Sequence, residues 1–458
     1  MAAASKKKVA RKVKKTARTA KKPVKKPVKK SAKASAVASP AIPKNQKLLV
    51  SVFTPTDSVK HLRECYDSLC NQMYSNWEWI LVPNGALKQA SRIPAKIRKD
   101  PRVSVHYFPL PDGGSGNIGG LKKFATHHCS GQLYVELDHD DILTPDALLE
   151  IVAAYKKTGA GFLYSNFVSF REDGSSITYP EANGWESYPV TINEQRYLAS
   201  RAFPPTADSL HRLITTPNHV RVWSKEAYNK LGGHDPTRSV CDDFDLVTKA
   251  YIERIDFHHI DKCLYLYRQW SGSRSMTTRN EEIQQIEGEI AHERTHDIAR
   301  EYCRRRKLFS VTVAKDPQEG TIRFSDIAEL KDDSIGWLQA KDILQHIDGA
   351  AVLDWLNIAW HKLAPGGWLA LSVPSTDGRA AFQVPTYKSF WNINSFMYLT
   401  NNRAAIPFGG NHYSANFHAA RCWNEHPDDA HARNSMLYAN ADFIAVKDSR
   451  RIAGAPLK

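Results

Sequence analysis

The chain has 458 residues, of which 42% are hydrophobic, and a formal net charge of +15. This length predicts two or three domains. The chain is expected to be soluble, because no apolar run approaches the roughly 18 residues of a membrane helix and no secretory segment stands near the start. Seven cysteines without a C-x-x-C pair predict reduced thiols and a cytoplasmic location rather than a secreted disulfide framework.

The positive charge is confined to one segment. Residues 1–46 hold 16 of the 63 Lys and Arg and no Asp or Glu, so residues 47–458 hold 47 basic and 48 acidic residues. Like-charge repulsion and repeated prolines predict a disordered segment. It resembles the basic tails of histone H1-like proteins, which implies non-specific binding to nucleic acid through phosphates. A purely solubilising tail, or one that contacts any polyanion, is the alternative.

From Lys47 onward, predicted strands alternate with helices. Apolar runs predict strands at residues 48–53, 77–82, 103–108 and 132–137, with helical spacing between several of them. This alternation predicts an α/β fold with a doubly wound, mostly parallel sheet. A glycine-rich stretch, residues 113–120, indicates close backbone approach, and Lys122 after it would face phosphate or lie on ordinary helix surface, which is the default.

An acidic cluster follows the fourth predicted strand. Asp138, Asp140 and Asp141 stand at its carboxyl end, where open α/β sheets place their ligands. Three carboxylates within four residues repel one another, and a divalent cation among them relieves that repulsion. The cluster therefore predicts a site for Mn²⁺ or Mg²⁺ with a diphosphate. The alternative is an acidic turn that caps a helix beginning near Thr144.

A second acidic group, Asp242, Asp243 and Asp245, opens a helix predicted over residues 243–252. Acids in a first turn also complement the helix dipole, so by itself this group has a structural explanation. Before it, residues 161–170 predict an edge strand, and residues 171–200 are interpreted as the acceptor side. His219 and Arg221 on a further predicted strand would face acceptor or diphosphate, although a structural role is the default for His219.

The order of these segments resembles a family 2 glycosyltransferase of the GT-A fold over about residues 47–278. The first strand ends in Pro-Thr, the second in Asn-Gly, and Gly-Asn-x-Gly precedes Asp-x-Asp-Asp. Further along, Leu-Gly-Gly-His-Asp precedes Asp-Asp-Phe-Asp, and Tyr-Arg-x-Trp-Ser-Gly-Ser closes the segment.

The resemblance implies a role for each matching residue. Asp140 would bind the metal, Asp138 would bind the ribose or the metal, and Asp243 would act as general base. Supporting positions are Asp141, Asp242 and Asp245. Contacts to the nucleotide or its diphosphate would come from Thr54, Pro55, Asp57, Asn84, Lys122, Arg268 and Arg274.

Two positions depart from the family's pattern. Asn84 stands where many members carry an Asp that contacts the base, and Trp270 stands where many carry His. The donor nucleotide is therefore open, with a UDP-sugar favoured. Arg268 or Arg274 would meet the diphosphate in place of the missing histidine, since guanidinium binds such groups in a bidentate way.

The rest of the chain predicts a helical connector, residues 279–308, and a second α/β domain, residues 309–458. The latter resembles the second half of class I S-adenosylmethionine-dependent methyltransferases. It has no Gly-x-Gly loop between Leu308 and Ile322, and that stretch leaves no room for the family's first strands. We therefore expect a truncated domain that does not bind S-adenosylmethionine.

Together these features predict a metal-dependent glycosyltransferase with a glycan or glycoconjugate acceptor, inverting by family resemblance. The sequence leaves two alternatives open. One is glycosylation of modified nucleic acid, with residues 1–46 binding the phosphate backbone. The other is a non-catalytic protein that binds a sugar or nucleotide.

Overall fold

The structure is a computed structural model that describes residues 47–85, 92–109, 116–212, 216–270, 279–400 and 413–448, except the side chains of Arg212 and Met397. The chain divides into Met1–Ile42 and Pro43–Lys458, and the described elements all belong to the second unit. The predicted tail, residues 1–46, lies outside the described residues, and so does Arg274.

Strands β1 to β11 form the first sheet. In chain order they are β1 (Val50–Thr56), β2 (Trp77–Pro83), β3 (Val103–Val105), β4 (Leu133–Glu136), β5 (Ile142–Leu143), β6 (Phe162–Arg171), β7 (Ser176–Ile177), β8 (Ser187–Ile192), β9 (Gln195–Ser200), β10 (Arg221–Ser224) and β11 (Phe257–Gln269). Their order is β3-β2-β1-β4-β10-β6-β11-β5, with β7 and β9 beside β6 and β8 beside β9.

Helices connect these strands and cover the sheet. They are α1 (Leu62–Cys70), α2 (Ala95–Arg98), α3 (Ile118–His127), α4 (Ala147–Thr158), α5 (Ser209–Arg212), α6 (Lys225–Lys230) and α7 (Asp242–Ile252). Helix α3 packs tightly because Gly119 leaves room for the neighbouring chain: a Cβ there would lie 2.0 Å from the carbonyl oxygen of Asp235. This confirms the close approach predicted for the glycine-rich stretch.

Strand direction decides which ends meet. Strands β1, β2, β3 and β4 run parallel, whereas β10 runs antiparallel to β4 and β6. The carboxyl ends of β1, β2 and β4 therefore share one edge of the sheet with the first residue of β10, and Arg221 pairs with Glu136 there. The predicted edge position of residues 161–170 is wrong, because β6 lies between β10 and β11.

The predicted connector is two helices rather than one, α8 (Asn280–Glu293) and α9 (Thr295–Arg306), which meet at Arg294. Their buried isoleucines Ile283, Ile290 and Ile298 pack into the main hydrophobic core. That core also contains Trp368 and Ile444 from the last part of the chain. The two helices therefore bury their apolar stripe between the two sheets.

The second sheet contains β12 (Phe309–Val313), β13 (Thr321–Ile322), β14 (Ile335–Lys341), β15 (Leu363–Pro374), β16 (Phe417–Glu425) and β17 (Tyr438–Ala445), with helices α10 (Gly349–Lys362), α11 (Ile393–Thr400) and α12 (Asp429–Arg433). Its order is β13-β12-β14-β15-β17-β16, with β17 antiparallel to both neighbours and β12 to β15 parallel.

This arrangement confirms the predicted α/β class and the second α/β domain. One expectation about that domain is wrong, because residues 309–322 do contain two strands, β12 and β13, where there was expected to be no room for both. The loop between them, residues 314–320, lacks a Gly-x-Gly sequence, as expected. The likeness of this domain to methyltransferases stays a prediction.

Within the described ranges, no helix combines the length and apolar character that a bilayer crossing requires. All seven cysteines fall in those ranges, and none forms a disulfide.

Candidate functional site

A cavity of about 460 Å³ opens at the shared carboxyl edge of β1, β2 and β4. Parts of the chain that are far apart in sequence line it. They are the loops after those strands, the start of α3, the segment before β10, the start of α7 with the residues just before it, the end of β11 and one face of α8. The lining includes Pro55, Thr56, Asp57, Asn84, Lys122, Asp138, Asp140, His219, Asp242, Asp243, Trp270, Arg279, Ile283 and Glu287.

The acidic cluster after β4 divides into two partly exposed carboxylates and one buried carboxylate. Asp138 and Asp140 line the cavity, whereas Asp141 is fully buried. Asp141 accepts a hydrogen bond from the Tyr265 hydroxyl at 2.7 Å and one from the Arg268 backbone N–H at 2.7 Å. Burial, and then Asp140 and Asp138, hold the pKa of Asp141 well above its usual range. Its contacts join the loop to β11.

Trp270 forms a hydrogen bond with Asp140, one of the two partly exposed carboxylates. Its indole Nε1 donates to Oδ2 of Asp140 at 2.8 Å. The ring is in turn held by Lys60, whose ammonium lies 4.1 Å from the ring centroid, and by an edge contact with His61. An indole cannot bind a cation through nitrogen, but here it fixes one oxygen of Asp140.

The donor set suits a divalent cation. Ligand atoms of Asp138, Asp141 and His219 lie within 4.8 Å of one another. Burial in the cavity, and then Asp140, raise the pKa of Asp138 to about 6, although 36% of its side-chain surface is open. That unfavourable crowding of carboxylates is what a cation relieves. Asp141 already accepts two hydrogen bonds, so Asp138 and Asp140 are the better ligands.

The three carboxylates of the second acidic group, Asp242, Asp243 and Asp245, lie in three different environments. Asp243 faces the cavity with 16% of its side chain exposed, and its Oδ2 lies 2.8 Å from Nη2 of Arg221. Burial opposes its ionisation, but Arg221 and then Lys122 outweigh burial and keep the pKa of Asp243 below its usual value. Asp245 lies outside the cavity lining and pairs with Arg294 and Lys249, each at 2.5 Å.

Asp242 borders the cavity but is nearly fully buried in a cluster of charged side chains. Lys122 Nζ lies 3.0 Å from Oε2 of Glu136 and 3.2 Å from Oδ2 of Asp242, and His234 Nε2 approaches the same two carboxylates at 3.3 and 3.5 Å. The default expectation that Lys122 lies on helix surface is wrong, because its side chain is 6% exposed. Burial raises the pKa of Asp242. Burial also opposes ionisation of Glu136, but Lys122 and then His234 keep its pKa well below the usual range.

The predicted nucleotide-contact residues are partly displaced. Pro55, Asp57 and Asn84 line the cavity, but Thr54 is fully buried, donates to the Leu137 carbonyl at 2.6 Å and accepts from Trp79. Its predicted contact is therefore wrong, and Thr56, two residues on and on the same face of β1, lines the cavity instead. Asn84 Oδ1 also accepts from the Gly116 N–H at 3.0 Å, which ties the glycine-rich stretch to β2.

Arg268 does not line the cavity. Its Nε donates to the Asp140 carbonyl at 2.8 Å and its Nη2 to Glu64 at 2.5 Å, so the guanidinium holds the acidic loop from behind. The prediction that it meets a diphosphate is therefore wrong in this conformation. The alternative, Arg274, lies outside the described residues.

Three groups of residues in or next to the cavity have weak signals in the sequence. His219, expected by default to be structural, lines the cavity just before β10 and contacts Arg221, the first residue of that strand. Glu136 is a charge within an apolar run, and such a residue needs a buried partner. Arg279, Ile283 and Glu287 also line the cavity. They belong to the predicted connector, where the helical spacing of apolar residues indicates a buried stripe and gives no sign of a binding site.

Several known proteins are similar to part of this chain. The model described as Glycosyl transferase family 2 matches residues 51–208. Glycosyltransferase GlyG of Streptococcus pneumoniae serotype 4 is 25% identical over 228 residues, which are 49% of this chain and 72% of GlyG. O-antigen biosynthesis protein RfbC of Myxococcus xanthus is 24% identical over 232 residues, and hyaluronan synthase of Pasteurella multocida is 25% identical over 224. These matches span about half of this chain but only 16% of RfbC and 20% of the synthase.

Two solved structures are similar to part of this chain. S. aureus TarS 1–349 in complex with UDP-GlcNAc has a TM-score of 0.42 and 13% identity, over 68% of this chain and 80% of that one. Mannosyltransferase PcManGT from Pyrobaculum calidifontis, in complex with GDP-Man and Mn²⁺, has a TM-score of 0.39 and 14% identity, over 57% of this chain and 70% of that one.

Proposed function

We propose that the chain moves a sugar from a nucleotide-sugar donor to a hydroxyl acceptor, on the premise that residues 51–208, which match the model described as Glycosyl transferase family 2, act as a domain of that family. The observation that carries the proposal is the meeting of two distant acidic motifs. Asp138 and Asp140 after β4 and Asp243 at the start of α7 line one cavity. Sugar transfer needs both groups, one at the leaving diphosphate and one at the attacking hydroxyl.

On the donor side, Asp138 and Asp140 would hold a divalent cation, Mn²⁺ or Mg²⁺. Bound there, the cation would stabilise the charge that develops on the leaving diphosphate. Trp270 fixes Oδ2 of Asp140 and Arg268 fixes the backbone of the same residue, so this carboxylate is oriented before any ligand arrives. Pro55, Asp57 and Asn84 are positioned to contact the nucleoside, and a UDP-sugar is the donor we favour.

On the acceptor side, Asp243 would accept the proton of the attacking hydroxyl. It is the carboxylate of its group that is both open to the cavity and held ionised by Arg221. Asp242 is nearly fully buried beside Lys122, and Asp245 lies behind α7. Direct attack by a base-activated hydroxyl gives inversion at the anomeric carbon, which is the stereochemistry we propose.

For the acceptor we propose a glycan or glycoconjugate. Two of the relatives carry names of this kind, an O-antigen biosynthesis protein and a hyaluronan synthase. Nucleic acid is a second candidate acceptor, favoured by the 16 basic residues of residues 1–46. A cytoplasmic location stays a prediction, supported by seven cysteines that form no disulfide.

Thermal unfolding with UDP, GDP, ADP, CMP and dTDP, each with Mn²⁺ or with EDTA, tests the donor site. We expect one nucleotide to raise the midpoint only with Mn²⁺, since a ligand at 100 times its Kd stabilises by about 2.7 kcal/mol. Asp140→Ala should abolish the shift. Asp297→Ala is the matched control, because that side chain is 52% exposed on α9 and should leave the shift unchanged.

The transferase step is tested separately with Asp243→Asn. We expect turnover of the sugar donor built on the stabilising nucleotide to fall by about 10²–10⁴-fold while the nucleotide shift persists. No shift of the wild type with any nucleotide would contradict the donor site. A shift without any sugar transfer would instead identify a non-catalytic binding protein.

A further inference from the structure

Four side chains form a continuous line across the cavity floor and join the two acidic motifs. Asp243 Oδ2 lies 2.8 Å from Nη2 of Arg221, and Nη1 of Arg221 lies 3.4 Å from Nδ1 of His219. On the far side of the ring, His219 Nε2 lies 3.7 Å from Oδ2 of Asp138. Arg221 is 1% exposed and His219 is 12% exposed, so water screens this line little.

The guanidinium decides which nitrogen of His219 carries the proton. Arginine has only donors, so the ring nitrogen that faces it must be the acceptor. A doubly protonated imidazole would set two cations 3.4 Å apart inside the protein, which is unfavourable. The ring is therefore neutral, with its proton on Nε2, the nitrogen that faces Asp138.

Other contacts prevent the ring and the guanidinium from rearranging. His219 stacks on Tyr265 with centroids 4.6 Å apart and planes 13° apart, and Tyr267 stacks at 5.5 Å. Arg221 Nε donates to the Pro217 carbonyl at 3.2 Å. The Tyr265 hydroxyl is itself bound to Asp141. The plane of the imidazole and the position of its partner are thus both set by the scaffold.

This proton placement bears on the cation site. A metal-binding histidine must present a bare lone pair, but Nε2 of His219 carries a hydrogen. His219 thus lies close enough to Asp138 and Asp141 to look like a third ligand and is in the wrong tautomer to be one. A hydrogen-bond donor beside a ligating carboxylate orients it instead.

Resting on the proposed function, we propose that Arg221 and His219 are a pair of positioning residues for the donor site. Arg221 contacts Asp243 and fixes the His219 tautomer. His219 then directs Nε2–H towards Oδ2 of Asp138, which lies 3.7 Å away as a polar contact rather than a hydrogen bond, and leaves the other oxygen of Asp138 for the cation. The pair links the geometry of the acceptor carboxylate to that of the donor carboxylates.

Two substitutions at His219 separate this role from metal ligation. The amide nitrogen of glutamine reaches the place of Nε2, whereas that of asparagine reaches only the place of Nδ1. We expect His219→Gln to keep Mn²⁺ affinity, measured by calorimetry with the nucleotide that stabilises the wild type, within about threefold. His219→Asn should weaken it by about tenfold or more, as loss of a partner to a ligating carboxylate does.

Electron paramagnetic resonance of the bound Mn²⁺ gives a readout independent of turnover. The wild type should show no hyperfine coupling to a directly bound imidazole nitrogen. His127→Asn, at an exposed position at the end of α3, controls for loss of a histidine as such, and each variant's midpoint without ligand reports on folding.

Direct nitrogen coupling in the wild type that disappears in both His219 variants would overturn the proposal. So would equal Mn²⁺ affinity in folded His219→Gln and His219→Asn. Failure of the wild type to bind any nucleotide with Mn²⁺ would instead contradict the proposed function, so the two failures are distinguishable.

Discussion

At the scale of single residues, Lys122 shows how the fold accommodates charge beneath the cavity. Its ammonium is shared between Glu136 and Asp242, both nearly fully buried. An unpaired buried charge is far more costly than a paired one. Lys122 therefore stabilises two buried carboxylates, and its removal would leave both of them without this positive charge.

We expect Lys122→Met to lower the free energy of unfolding by about 3–5 kcal/mol, because it leaves buried carboxylates without their partner. Urea denaturation with linear extrapolation measures this loss. Lys123→Met is the matched control on the same helix, since the Lys123 side chain is partly exposed, and should change stability by no more than about 0.5 kcal/mol. Similar values for the two variants would contradict the shared-charge arrangement.

At the scale of elements, a buried acid of α7, Asp245, links that helix to the junction of the two connector helices. Asp245 is 1% exposed, and Arg294, at the junction of α8 and α9, donates to its carboxylate and to its backbone carbonyl. Arg294 also contacts Thr248 one turn further along α7. Because Asp243 stands on the same helix, this contact helps to keep the candidate base in place.

We expect Arg294→Ala to destabilise the protein by about 2 kcal/mol, less than full loss of the pair because Lys249 still contacts Asp245. Turnover should fall as well, since α7 carries Asp243. Arg300→Ala removes an arginine from α9 whose side chain is 77% exposed and should have almost no effect on unfolding. Equal destabilisation by both changes would argue against a specific role for Arg294.

In the second sheet, Asp442 on β17 predicts a pH effect. Burial raises the pKa of Asp442 from 3.8 to about 6, although Arg421 lowers it in part. Between those pH values the unfolded chain binds fewer protons at this group than the folded chain does. Its contribution to stability is therefore present at low pH and is lost as pH rises toward 6 and beyond.

Asp442→Asn should remove that loss, so the variant gains about 2 kcal/mol relative to the wild type between pH 4 and pH 7. Unfolding by urea across this range measures the difference. Asp354→Asn, at an exposed position on α10, should track the wild type at every pH. A pH dependence of Asp442→Asn identical to that of the wild type would contradict the raised pKa.

At the scale of the whole molecule, charge is divided between two parts of very different character. Residues 1–46 contribute all the excess positive charge, and the rest of the chain is balanced at 47 basic and 48 acidic residues. Binding to phosphate backbones depends on the number of cations brought to them and weakens steeply with salt. The unit Pro43–Lys458 contains the whole described cavity.

Deletion of residues 1–46 should abolish salt-sensitive binding to duplex DNA and leave the nucleotide-dependent thermal shift unchanged. In the full chain, six or more phosphate contacts would lower the affinity for DNA by about 10³-fold or more between 50 and 200 mM salt. Fluorescence anisotropy of labelled duplex DNA measures the affinity of the full chain and of the deletion variant, with a peptide of residues 1–46 as control. Unchanged DNA affinity after deletion would show that the folded part binds it.

The same deletion separates the two candidate acceptors. Turnover on a glycan should be unaffected, whereas turnover on nucleic acid should fall and lose its salt dependence. Activity on nucleic acid that survives deletion with its salt dependence intact would remove the proposed role of the tail.

The local sequence determines the elements and the chemistry on offer. Apolar runs of residues 48–53, 77–82 and 132–137 predict β1, β2 and β4 to within a few residues, because strand burial leaves a continuous apolar pattern. The acidic groups that follow β4 and open α7 are visible for the same reason, as charges bordering such runs. The α/β class, the second α/β domain and the candidate carboxylates all follow from local pattern.

Only the tertiary structure decides what each charge does. Asp242 and Asp243 are adjacent in sequence, yet their pKa values shift in opposite directions. Burial raises the pKa of Asp242 in spite of Lys122 and His234, whereas at Asp243 burial is outweighed by Arg221 and then Lys122, which lower its pKa. Lys122 is buried rather than exposed for a similar reason, since its partners come from β4 and α7. Exposure, protonation and tautomer depend on neighbours that other strands and helices supply, such as Asp242 of α7 beside Lys122 of α3, and no local pattern encodes those contacts.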